Sequence, residues 1–97
     1  MWFSARALYR CDVRDGRDCE PLCEESIFIF LATDEAAAEV RAEQVARERQ
    51  MSYQNNEGSS VEWRLVSVED VYQIFDQELS DGAEVYSRLF QPSDFLK

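Results

Sequence analysis

Phe3, Ala5, Ala7, Tyr9 and Cys11 alternate with Ser4, Arg6 and Arg10 at the start of the chain. A period of two marks a half-buried strand and predicts a first strand over Trp2–Val13. Residues 12–23 then collect Asp15-Gly16, several charges and Pro21, which reads as a connection. Along Glu25–Ala32, Ile27, Ile29 and Leu31 point one way and Phe28 and Phe30 the other. Both faces of this second strand are apolar, the pattern of an interior strand covered on two sides.

The period changes after Ala32. Thr33 or Asp34 can cap a helix N-terminus, and Glu35 places negative charge in the first turn, where the helix dipole favours it. The helix is expected to run to about Met51 or Tyr53, where Asn55, Asn56 and Gly58 end it. Ala38, Ala42, Val45, Ala46 and Tyr53 share one face, with Arg49 in the same stripe. Small residues there let a helix lie close on a sheet. Glu39, Glu43, Arg47 and Glu48 lie away from it, and Glu43 and Arg47 have the i,i+4 spacing of a surface pair.

Ser60–Phe75 reads as a long third strand, with Val61, Trp63 and Leu65 alternating with Glu62 and Arg64. The phase is lost around Ser67–Asp70, which predicts a bulge or bend. Ser80-Asp81-Gly82 is a turn signal, and Glu84–Phe90 reads as a fourth strand stopped by Pro92. The expected architecture is one α+β domain over residues 1–97, a four-stranded, largely antiparallel sheet with one long helix on one face, in the order β-β-α-β-β. Four strands at about 4.8 Å spacing make a sheet roughly 19 Å wide. A helix is about 10 Å across, so one helix leaves sheet uncovered. The Phe95-Leu96 tail and a second copy of the chain are the two covers considered. A two-fold homodimer is the expectation, because such dimers are the commonest oligomers.

Charge narrows the partners. Twenty Asp and Glu face ten Lys and Arg, there is no histidine, and the net charge is −10. The imbalance peaks between Glu69 and Glu84, a stretch without Lys or Arg. Such a surface repels nucleic acid and anionic membranes and attracts basic proteins. Ile27–Ala32, the longest apolar run, is too short to span a bilayer, and no signal peptide opens the chain, so the cytoplasm is the expected compartment. Three cysteines, Cys11, Cys19 and Cys23, agree with a reducing address, since an odd number cannot pair fully.

Catalytic constellations are hard to assemble from these residues. Without histidine the Ser-His and Cys-His arrangements are excluded, and the lone lysine, Lys97, is the last residue. Zinc spacing, EF-hand spacing and phosphate-cradling glycine loops are absent, so no enzyme activity, cofactor or metal is expected. Glu24-Glu25, Glu69-Asp70 and Asp81 with Glu84 could hold Mg²⁺ or Ca²⁺ but read first as a solvated acidic surface. Arg14, Asp15, Arg17 and Asp18 make a charge-balanced loop, and Trp63 and Tyr86 are a conceivable aromatic platform on adjacent strands.

Several short motifs run through the whole chain: Trp2-Phe3-Ser4-Ala5, Glu24-Glu25-Ser26-Ile27, Val61-Glu62-Trp63-Arg64, Val68-Glu69-Asp70-Val71 and Gly82-Ala83-Glu84-Val85-Tyr86-Ser87-Arg88. Together they resemble a bacterial family, the domain of unknown function 4288. That resemblance implies a stand-alone bacterial cytoplasmic protein and brings no activity and no catalytic residues. The leading expectation is a protein-binding module with an acidic face of Glu69, Asp70, Tyr72, Asp76, Glu78, Asp81 and Glu84. In its sharpest form this is an immunity-like protein that neutralises a basic partner. The alternative is a homodimeric domain binding a small molecule or divalent metal in a pocket lined by Arg6, Arg49, Arg64 and Glu84.

Overall fold

The computed structural model describes residues 1–16, 21–75 and 78–95 of the chain. Its elements are β1 (Trp2–Arg14), β2 (Leu22–Leu31), α1 (Glu35–Glu48), β3 (Met51–Gln54), β4 (Ser60–Gln73) and the short α2 (Pro92–Phe95). The four strands form one antiparallel sheet in the order β2-β1-β4-β3, with α1 laid across one face. The α+β class and the β-β-α-β-β order are those expected.

Burial on the helix side follows the alternation in β1. Phe3, Ala5, Ala7, Tyr9 and Cys11 are buried, and Phe3, Ala5 and Phe30 pack with Ala38 and Ala42 while Ala7 and Tyr9 pack with Ala46. Ala38, Ala42 and Ala46 have no exposed surface, so the helix backbone lies close to the strands. Val45, Val68 and Val71 fill the margins. Asp34 caps the helix, its Oδ1 accepting from the Ala37 N–H at 2.8 Å. The expected Glu43–Arg47 pair forms at 2.7 Å.

Three expectations are corrected. First, β2 is an edge strand, not an interior one. Phe28 and Phe30 turn to the helix, whereas Ile27, Ile29 and Leu31 stay 40–57% exposed on the opposite face. Second, the helix ends at Glu48, before Met51 and Tyr53, and these two belong to β3. Third, Glu84–Phe90 is not a strand and carries no regular structure.

The second correction has a local cause. Asn55 and Gly58 were the signals for a helix end, yet they build a hairpin between β3 and β4. The Asn55 side chain accepts from the Glu57 and Ser59 N–H groups at 3.0 Å, and Asn55 N–H donates to the Ser59 carbonyl. Gly58 adopts φ 80°, the left-handed region that glycine enters without strain. Turn chemistry of this kind serves either element, and pairing of Met51–Gln54 with Ser60–Trp63 decides the matter.

The predicted bulge is present twice. Pairing of β1 with β4 steps past Glu69 between Arg6/Asp70 and Ala7/Val68, and past Val66 between Leu8/Ser67 and Tyr9/Leu65. Each extra residue restores the phase, so Val71, Val68, Leu65 and Trp63 all reach the helix side. Of the tail expected to cover the second face, the Phe95 side chain and Leu96 lie outside the described residues.

Two outcomes test this packing. Ala42→Leu should cost about 1–3 kcal/mol in chemical denaturation, because no space exists for the added atoms. Val40→Ala on the exposed side of α1 should change stability by less than about 0.5 kcal/mol. Ser4 is fully buried on the side away from the helix and its Oγ has no hydrogen-bond partner among the described residues. A buried unpaired hydroxyl is costly, so Ser4→Ala should leave stability unchanged or raise it by up to about 1 kcal/mol.

Candidate functional site

On the sheet face away from α1, β1 presents Arg6 between Ala5 and Ala7, directly across from Asp70 of β4. The Arg6 Nε and Nη2 both donate to Asp70 Oδ2, at 3.0 and 2.8 Å, and Nη1 donates to Glu25 Oε2 of β2 at 2.7 Å. One guanidinium thus ties three strands' worth of side chains through a fixed fork of donors. The segment after β4 closes over this centre. Tyr86 Oη donates to the same Asp70 Oδ2 at 2.9 Å, and Tyr72 Oη donates to Glu84 Oε1 at 2.6 Å. The Tyr72 and Tyr86 rings meet edge to face at 6.4 Å.

These contacts set the protonation of the group. Hydrogen bonds from Arg6 first, then Tyr86, hold the Asp70 carboxyl below the usual carboxylate range, and the nearby Arg88 charge adds to this. Bonds to Glu25 and Asp70 keep Arg6 protonated beyond its ordinary range. Tyr86 is pushed up, by burial first and by its bond to ionised Asp70 second. The network is a stable set of complementary charges, with its acid and base both held ionised.

The sequence-predicted acidic face is therefore only partly a face. Asp70 and Glu84 are engaged within the chain. Glu69 is an exposed bulge residue that accepts from Ser67 Oγ at 2.7 Å, and Glu78 and Asp81 are exposed beyond β4. Tyr72 is half-buried in the network. Asp76 lies outside the described residues.

The second predicted set is dispersed. Arg6 and Glu84 share the far face, but Arg49 stands on the helix side, and Arg64 pairs with Glu62 at 2.7 Å near the β3–β4 hairpin. Trp63 and Tyr86 do not form a platform, since Trp63 packs on the helix side with Ala7, Tyr9 and Ala46. Sequence reasoning missed Tyr86 and Arg88 as members of the far face. Their spacing read as a strand, which set Tyr86 beside Trp63 instead of over Asp70.

A cleft opens on the helix side, where α1 ends above the sheet. Its volume is about 450 Å³, and Tyr9, Glu24, Arg49, Met51 and Trp63 line it. Tyr9 is buried and its hydroxyl donates to the Ala46 carbonyl at 2.8 Å, so the ring is fixed to the last turn of α1. Burial pushes the Tyr9 phenol up, the Arg49 charge and a hydrogen bond from its side chain oppose the rise, and the Glu24 charge adds to it. Arg49 is the C-terminal cap of α1; its N–H donates to the Ala46 carbonyl at 3.3 Å, and the Gln50 N–H to that of Arg47 at 3.1 Å. The Trp63 indole N–H points to Tyr53 Oη at 3.4 Å. Met51 and Tyr53 were assigned to the helix from sequence, so this constellation was hidden until β3 was placed.

The cysteines divide similarly. Cys11 is buried on the helix side and burial pushes its thiol up, whereas Cys23 is exposed and aligned with Arg10. Both are free thiols, and Cys19 lies outside the described residues. Among the described residues no group of three or more Cys, Asp or Glu is placed to hold a metal ion, and no helix is long and apolar enough to cross a membrane.

Acid should expose the far-face network. Because the folded-state carboxyl of Asp70 is depressed, its stabilisation is complete above the unfolded value of about 3.9 and is lost as pH falls through the lower folded value. Asp70→Asn should thus be less stable than the parent at neutral pH, with the gap closing below about pH 4. Denaturation curves from pH 7 to pH 2 check this. A gap independent of pH would show that the carboxylate charge is irrelevant.

No curated protein and no solved structure matches the chain significantly. One family does: the domain of unknown function DUF4288 matches residues 2–87. That span runs from the first residue of β1 to the segment that closes over Asp70. The chain therefore belongs to the DUF4288 family.

Proposed function

We propose that this chain is a protein-binding module that docks a basic partner on its far sheet face, in the manner of an immunity protein neutralising a basic toxin. The observation that carries the reading is the row Ile27, Ile29 and Leu31, which lies 40–57% exposed on the open side of edge strand β2. Beside it stand the Arg6–Asp70 centre and the exposed acid Glu25, and β4 and the chain after it add the exposed acids Glu69, Glu78 and Asp81. Apolar side chains of this kind anchor an interface, and surrounding charge steers the encounter and selects a basic partner. A net charge of −10 argues against a nucleic-acid or anionic-membrane partner. Binding is preferred to catalysis because the chain has no histidine and no lysine before Lys97 to activate a nucleophile. A cytoplasmic setting fits the odd number of cysteines.

The test begins with tagged protein used to capture partners at low and moderate salt. A stoichiometric basic protein is expected, retained less as salt rises and lost in both Ile29→Glu and the triple variant Glu69→Lys, Glu78→Lys, Asp81→Lys. Retention unchanged in both variants would sink the reading. Sedimentation of the pure protein separates the other occupant: a homodimer that dissociates in Ile29→Glu would place a second copy of the chain on this face instead.

A further inference from the structure

The helix-side cleft holds two opposite charges that do not neutralise each other. Arg49 and Glu24 line the same 450 Å³ space, yet neither belongs to an ion pair among the described residues. Among the described residues Glu24 accepts a hydroxyl, from Ser26 Oγ at 3.0 Å. The rest of the lining is largely apolar: the buried Tyr9 ring, the Trp63 indole and the Met51 side chain. The walls are stiff. Tyr9 is locked to the Ala46 carbonyl, Trp63 packs against the cluster of Ala7, Tyr9 and Ala46, and Met51 is held in the sheet opposite Trp63.

A charge pair of purely structural purpose would close on itself, as Arg47 and Glu43 do at 2.7 Å on the same helix. Here the two groups come from separate elements, the end of α1 and strand β2, and both line one cavity. The volume lies within the range of small-molecule sites, roughly 300–1,000 Å³, and the mix of aromatic walls with a few polar groups is the usual composition of such sites.

The molecule that satisfies every wall carries a cation, an anion and an apolar body. A carboxylate suits Arg49, whose planar fork binds it with two parallel hydrogen bonds. An ammonium suits Glu24. An aromatic or large aliphatic group suits Trp63, Tyr9 and Met51, through stacking and sulfur–aromatic contact. We propose that this cleft binds a free α-amino acid with an aromatic or large apolar side chain. Arg49 takes its carboxylate, Glu24 its ammonium, and Trp63 with Met51 its side chain. A purely anionic ligand would leave Glu24 facing it unpaired, and a purely cationic one would meet Arg49. This assignment stands apart from the partner reading, because the cleft and the far face lie on opposite sides of the sheet.

The Trp63 indole N–H is a direct reporter, distinguished from that of Trp2 by assignment with Trp63→Phe. Titration with L-phenylalanine and L-leucine, followed by ¹⁵N–¹H correlation spectra, should shift this resonance saturably with a Kd of about 1 mM or tighter. N-acetylphenylalanine lacks the cation and phenylalanine amide lacks the anion, and each should bind at least about tenfold more weakly. Arg49→Gln and Glu24→Gln, both at exposed positions, should weaken phenylalanine by a similar factor while the thermal midpoint without ligand is retained. Absence of a saturable shift up to about 10 mM would overturn the proposal. So would equal binding of the two singly charged analogues, or full affinity in both variants.

Discussion

Close contact between the alanines of α1 and the small residues of β1 is the constraint on which this molecule depends. Ala38, Ala42 and Ala46 have no exposed surface, and neither do Ala5 and Ala7 beneath them. A helix seated this closely leaves little room between layers, so bulk must be supplied from the margins. Phe3, Phe28 and Phe30 supply it at one end and Tyr9 with Trp63 at the other. The arrangement also fixes where α1 stops. Once Tyr9 Oη donates to the Ala46 carbonyl and Arg49 caps the last turn, the chain leaves the helix over the middle of the sheet and enters β3 at once. The cleft is the space left at that exit.

The two faces of the sheet solve different problems. The helix side is held by packing, with Glu24 and Arg49 lining its cleft. Among the described residues no helix makes element contacts with the sheet other than α1. The far side is organised by electrostatics: Arg6 gathers Glu25 and Asp70, and Tyr86 folds the irregular segment back onto them. A guanidinium saturated with carboxylate partners can stay half-buried at modest cost, whereas the same residue alone would need water. The Ile27–Ile29–Leu31 row next to this centre gains no such cover. Exposed apolar residues on an edge strand are a hazard unless something binds them, and β2 has no proline or lysine to protect its edge.

Local pattern carried much of this fold. Alternation in β1, the Asp34 cap, the alanine stripe and the broken phase near Ser67–Asp70 each depend on neighbours within a few residues, and each reads directly from the chain. The candidate sites were less legible. Arg6 and Asp70 are 64 positions apart and share an atom contact only because β1 pairs with β4 in one register. Acidic residues counted together from Glu69 to Glu84 were one block of charge in the sequence. In space Asp70 and Glu84 are consumed by hydrogen bonds while Glu78 and Asp81 remain in water.

By itself the sequence determined the layers of this protein: one helix, antiparallel strands, the apolar faces of β1 and α1, and a net charge of −10. These follow from periodicity and composition, which are properties of adjacent residues and need no partner. Tertiary structure decided everything that depends on which strands meet. It put β2 at the edge instead of the interior and drew Met51–Gln54 out of the helix to pair with β4. It also left Glu84–Phe90 as an irregular cover anchored by Tyr86. The physical reason is that an apolar strand is equally content under a helix, beside another strand or against a partner. Only the register of distant backbone hydrogen bonds selects among them.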